Sequence, residues 1–175
     1  YYELITKYPQ VDLFHSMTQI IDDKSQVSSV QHYRSECDNV YSMIYWRLRG
    51  RSQYIGDYLF LTKKLRSIRG FVFIPCAWGA DDITCSAVGK EHGIVNCNKY
   101  GFQFRRGLVH ISSSGYMTKE KVYGFEESWK WYKDFLKGIP GQNERFYYNL
   151  VKEIISEFYL KQRKNYLKVD LQHHF

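Results

Sequence analysis

Apolar residues in this chain change their period several times, and each change predicts an element. Val11, Phe14, Met17, Ile20 and Ile21 recur mostly three apart, a spacing that predicts a first helix ending near Asp22 and Asp23, with a polar connection through Ser25, Ser28 and Ser29. The run Val40 to Trp46 is dense in β-branched and aromatic residues and predicts a strand. Arg47 to Ser52 then reads as a turn, and Gln53-Tyr54-Ile55 as the returning strand of a hairpin. Tyr58, Leu61, Leu65 and Ile68, with Lys63, Lys64 and Arg66 between them, predict an amphipathic helix with a basic outer face.

Further along, Phe71 to Ile74, Ile94-Val95, Phe102 to Phe104 and Leu108 to Ile111 predict strands separated by glycine-rich turns. A helix is expected from Phe125 to Lys137, stopped by Gly138 and Pro140. Asn143 can cap a last helix whose stripe is Phe146, Tyr147, Leu150, Val151, Ile154, Ile155 and Phe158. Leu150 and Ile154 are expected to face the core. Together these elements predict an α/β (α+β) fold: a small mixed or antiparallel sheet, packed helices and a long C-terminal helix. No repeat or internal linker interrupts residues 1–175, so one domain is expected, with a helical segment at 1–35, a core at 39–143, the last helix at 143–166 and a tail at 167–175.

Composition narrows the chemistry. Sixteen Tyr, eleven Phe and four Trp make 18% of the chain aromatic, and 25 Lys+Arg against 18 Asp+Glu leave a net charge of +7. Surplus positive charge beside many aromatic rings suits nucleic acid, whose phosphates attract cations and whose bases stack. No stretch reaches the roughly 20 apolar residues of a membrane span, so a soluble protein is expected. The chain begins with Tyr1 rather than Met, as a trimmed chain does. Cys37, Cys76, Cys85 and Cys97 form no C-x-x-C pair, which points to reduced thiols in a cytoplasmic or other reducing compartment. With His92, the last three have the donor types for zinc, but without a close pair of ligands.

The order strand, turn, Tyr54-Ile55-Gly56, basic helix resembles the GIY-YIG nucleases over residues 39 to 143. Asn39-Val40-Tyr41 stands for the first element, with Met43-Ile44-Tyr45 as the alternative register, and Thr62 to Arg69 stands for the basic helix. The resemblance implies a metal-dependent endonuclease cutting DNA. Its implied catalytic residues are Tyr41, Tyr54, Arg66 (or Arg69) and Glu127, with Glu127 holding Mg²⁺ or Mn²⁺ and Asn143 as the terminal Asn. Phosphodiester hydrolysis needs a base for water, positive charge for the phosphoryl oxygens and usually a divalent cation. A tyrosine can be that base only if nearby cations depress its pKa from about 10. Arg47, Arg49, Arg51, Lys63, Lys64 and Arg69 are the expected nucleic-acid contacts.

Two other readings stay open. Asp81-Asp82, inside Gly79-Ala80-Asp81-Asp82-Ile83, resembles the acidic pair of a polymerase palm, although the chain is short for one; with Glu91 the pair could hold Mg²⁺ in a different nuclease site, and a turn capped by Asp explains it more simply. The protein could also be a noncatalytic nucleic-acid binder, or a structural, homo-oligomeric protein whose aromatic residues build an interface.

Overall fold

The computed structural model describes residues 1–107 and 118–172, and the strand expected at Leu108 to Ile111 lies outside them. Its centre is β1 (Leu13–Ile21), which is hydrogen-bonded along both edges. On one side β1 pairs antiparallel with β4 (Tyr58–Phe60) and then with β2 (Val27–Val30); on the other it runs parallel to β5 (Ile94–Arg105). A short β3 (Cys37–Asp38) closes the far edge of β5 antiparallel. The result is the expected α+β fold with a small mixed sheet.

The helix expected at Val11 to Ile21 is therefore β1. Eight of its nine residues are buried, so both faces are covered and the strand shows none of the in-out alternation that marks a half-exposed one. Two polar side chains of β1 make buried hydrogen bonds, although His15 Nδ1 has no partner among the described residues. Thr18 Oγ1 donates to Asp57 Oδ2 at 2.9 Å, and His15 Nε2 meets Gln31 Oε1 at 3.2 Å. Gln31 Nε2 donates to the same Asp57 oxygen at 2.9 Å, so the loop around Asp57 is tied into the sheet by a buried polar knot.

The second correction removes the hairpin. Val40 to Trp46 is helical, the greater part of α2 (Val40–Leu48). Asn39 caps it by accepting from the Ser42 amide at 2.8 Å, and Val40, Tyr41, Met43 and Ile44 are buried. Burial on several sides outweighs the weak strand preference of these side chains. Gln53-Tyr54-Ile55 is not a returning strand either; it leads into a 3₁₀ turn, Ile55–Asp57, and then β4. The basic helix is shorter than expected, α3 (Thr62–Ser67), because Tyr58 to Phe60 belong to the sheet. Phe71 to Ile74 forms no strand, with Phe71 and Phe73 exposed.

The middle of the chain is thus more helical than its apolar runs suggest. Asp81 and Asp82 lie in the first turn of α4 (Ala80–Val88), and the strands expected at Ile94-Val95 and Phe102 to Phe104 are one strand, β5. After β5 come α5 (Thr118–Phe135) and the long α6 (Arg145–Gln172), preceded by α1 (Tyr2–Lys7) at the chain start. Asn143 lies in a 3₁₀ turn ahead of α6, where Glu144 Oε2 accepts from the Gly141 amide at 2.8 Å.

The main core joins β1 and β5 to α2, α4, α5 and α6. The inward face of α6 is Val151, Ile155 and Tyr159; Leu150 and Ile154 are half-buried, one position round the helix from the expected face. Ile155→Ala should cost about 2–4 kcal/mol in urea unfolding, from lost burial plus a cavity, whereas Phe146→Ala, on a side chain 68% exposed, should change stability by less than about 0.5 kcal/mol. Equal effects at the two positions would contradict this packing.

Candidate active site

Where the C-terminal end of α2, the Ser52 to Ile55 loop, the start of α4, β5 and the inner faces of α5 and α6 meet, they enclose a cavity of about 870 Å³. Aromatic side chains make up about a third of its lining residues, among them Tyr54, Phe71, Trp78, Phe104, Phe125 and Tyr159. Tyr54 and Phe104, both on the lining, stack face to face with ring centroids 4.4 Å apart. The charged groups on the lining are Arg47, Asp81, Asp82 and Arg106.

Two adjacent carboxylates have different surroundings here. Arg47 Nε donates to both Asp82 oxygens, at 2.9 and 3.0 Å, and Arg47 Nη1 donates to the Arg51 carbonyl at 3.2 Å. The Arg47–Asp82 pair fastens α2 to α4. Burial opposes the Arg47 charge, but the Asp82 carboxylate more than offsets it, and the guanidinium stays protonated above its ordinary range. Asp81 has no such cation bonded to it among the described residues. Burial raises its pKa from an ordinary 3.8 to about 6, with the neighbouring Asp82 charge adding to the effect and an amide hydrogen bond from Asp82 (3.0 Å) opposing it. A carboxyl that titrates near neutrality inside a partly aromatic cavity is equipped to accept and return a proton.

The loop carrying these groups is held in an unusual backbone conformation. Cys76 and Ala77 have φ of 61° and 53°, and Gly79 has φ of 90°, so three of four consecutive residues are left-handed. For the two non-glycine residues this costs on the order of 1–3 kcal/mol each. Burial also raises the pKa values of Tyr132 and Tyr159, with Asp82 adding to both, so their hydroxyls stay protonated beside the carboxylates.

Of the four residues expected to be catalytic, only Tyr54 lines this cavity. Tyr41 is buried in the core, its ring 5.8 Å from that of Phe135 and 5.2 Å from that of Tyr148. Burial, then the Glu144 charge, raise its pKa, the opposite of what a tyrosine base requires. Arg66 is exposed on α3, and Glu127 on α5 pairs with Lys130 at 2.6 Å. The two-stranded hairpin that underlies the nuclease resemblance is not formed, because Tyr41 stands on a helix.

The expected basic surface is divided. Arg47 is committed to Asp82, Arg51 lies 3.6 Å from Asp38, and Lys64 pairs with Glu91 at 2.7 Å, while Arg49, Lys63 and Arg69 are exposed. Among the described residues, Asp12, Glu91 and His92 form the one group whose donor atoms lie within 4.8 Å of one another. It includes neither Glu127 nor the cavity carboxylates. Also among the described residues, no helix is long and apolar enough to cross a membrane. Cys37, Cys76, Cys85 and Cys97 are free thiols.

Comparison of the chain with protein-family models, curated proteins and solved structures finds no match. Function therefore rests on the geometry of the cavity. The aromatic lining has no local signature in the sequence because Tyr54, Trp78 and Phe104 come from three distant segments; the local signal is Asp81-Asp82, two residues after Gly79.

The Asp81 environment has a consequence for stability, with a definite sign. A carboxyl whose pKa is higher in the fold than in the unfolded chain stabilises the fold while protonated, and that contribution is lost as pH rises through the folded pKa. The window is from about 4 to above 6. Asp81→Asn should match wild type near pH 4 and be more stable by about 1–3 kcal/mol at pH 7.5, measured by urea unfolding at both values. A variant that is less stable at pH 7.5 would contradict the placement of Asp81.

Proposed function

We propose that the cavity is the active site of a group-transfer enzyme in which Asp81 is the general base toward a hydroxyl of a carbohydrate-type acceptor. The observation that carries the reading is the Asp81 carboxyl, with its pKa raised to about 6 by burial, inside a cavity lined in part by aromatic rings. A sugar ring has apolar C–H faces and a rim of hydroxyls. Trp78 and the stacked Tyr54–Phe104 pair offer apolar surface to such faces, while Gln53 and Arg106 offer polar atoms to the rim. In the transfer step the acceptor oxygen attacks the electrophilic centre of an activated donor. Its proton passes to Asp81, and the leaving group departs with the electrons of the broken bond. Asp82, held by Arg47, keeps a second negative charge next to the base and sustains its raised pKa.

A second reading keeps the endonuclease expected from the sequence, with water in place of the acceptor hydroxyl and Mg²⁺ or Mn²⁺ as cofactor. The net charge of +7 and the exposed Lys63, Arg66 and Arg69 favour it, because they would attract a polyanion. In that form too, Asp81 replaces Tyr41 as the proton acceptor.

Saturation-transfer NMR with a panel of neutral oligosaccharides and short DNA duplexes separates the two. The carbohydrate reading expects oligosaccharide binding that Trp78→Ala and Tyr54→Ala weaken at least tenfold, with little dependence on salt. It also expects transfer from nucleotide-activated sugars that Asp81→Asn lowers by at least about a hundredfold while binding persists. Duplex binding that falls steeply with salt, cleavage with Mg²⁺ and no oligosaccharide signal would favour the nuclease and reject carbohydrate transfer.

A further inference from the structure

The cavity is lined by one segment whose backbone is held away from its intrinsic preference, and α5 is what lies behind it. Gly124 of α5 approaches the segment so closely that an added Cβ would sit 2.5 Å from the Pro75 carbonyl oxygen and 3.3 Å from Trp78 Cβ. One turn later, the Ser128 hydroxyl lies 2.9 Å from the Gly124 carbonyl and 3.2 Å from the Trp78 carbonyl, its single proton serving either. Ser128 is 3% exposed, and its oxygen also limits the other end of the turn, where a Cβ on Gly79 would approach it to 3.0 Å. Helix and segment therefore touch at three points: a glycine that admits the Pro75 backbone, a buried hydroxyl aimed at Trp78, and a left-handed glycine fitted over that hydroxyl. Left-handed backbone at Cys76 and Ala77 persists only where surrounding structure over-determines it.

We infer that Gly124 and Ser128 are positioning residues: they hold the left-handed Cys76–Gly79 turn against α5 and so keep Trp78 seated on the cavity wall. The effect expected on ligand affinity rests on the reading of the cavity as an active site; the positioning of Trp78 itself rests on the contacts with α5. Gly124 lies off the cavity lining, and Ser128, which borders it, has its hydroxyl between the Gly124 and Trp78 carbonyls. Ser128 acts through the Trp78 carbonyl, and Gly124 through the space that it leaves for Pro75.

The test uses the whole protein labelled with 5-fluorotryptophan, whose four tryptophans include Trp78, assigned by the signal lost in Trp78→Phe. Wild type should give one sharp ¹⁹F resonance for Trp78. Ser128→Ala should broaden or split it while the other three stay in place and the urea midpoint of the protein still marks a folded chain. Ser128→Thr, which returns the hydroxyl, should restore a single line, and Gly124→Ala should split it as well. Affinity for whichever oligosaccharide binds wild type should fall at least tenfold in Ser128→Ala and recover in Ser128→Thr. A single unchanged Trp78 resonance in both Ser128→Ala and Gly124→Ala overturns the inference, whatever the cavity binds. If no oligosaccharide binds wild type but the resonance splits as expected, the positioning stands and the proposed function fails.

Discussion

The bond between Arg47 and Asp82 is the constraint on which the site depends. It joins the last turn of α2 to the first turn of α4 through two N–H···O contacts from a single nitrogen, and both of its residues line the cavity. It also separates the roles of two neighbouring carboxylates. Asp82 is paired with a guanidinium that is itself partly buried, whereas for Asp81 burial and then the Asp82 charge favour the protonated form, against an amide hydrogen bond and the Arg47 charge. Removing Arg47 would leave Asp82 as an uncompensated charge in a partly buried place, a far larger cost than the pair itself returns.

Around that pair the fold arranges rigid supports. β1 is paired on both edges and buried on both faces, and the knot of Thr18, Gln31, His15 and Asp57 anchors the loop that leads from Tyr54 into β4. Tyr54 then stacks on Phe104 of β5, so one part of the cavity lining is fixed to the sheet. Trp78 is fixed to α5 through backbone contacts at Gly124 and Ser128. Sheet and helix layers thus both contribute to the cavity lining, together with the carboxylates at the α2–α4 junction.

What the sequence revealed depended on how local each signal was. The long last helix and the helix around Phe125 to Lys137 were legible because their apolar stripes repeat over several turns; the half-buried Leu150 and Ile154 show that the stripe fixed the helix better than its rotation. β1 was misread because a strand covered on both faces has no alternation, and α2 because Val40 to Trp46 looks strand-like until Asn39 is weighed as its cap. The strand-like look of Val40 to Trp46, joined to Gln53-Tyr54-Ile55 as a returning strand, suggested a hairpin and drew the site toward Tyr41 and Glu127. Asp81-Asp82 was visible as a pair, but its meaning was not. Only packing places it beside Arg47, 35 positions earlier in the chain, and in a cavity whose lining includes Tyr54, Trp78 and Phe104.

The central claim is that one carboxyl of the pair is a proton acceptor poised near neutrality. Its most direct test is a ¹³C NMR titration of the Asp81 side-chain carboxyl in the folded wild-type protein, with the signal assigned through its loss in Asp81→Asn. The account predicts a midpoint of about 6. A midpoint near the ordinary aspartate value of about 4 would mean that Asp81 is solvated, and would contradict the assignment of the cavity as a general-base site.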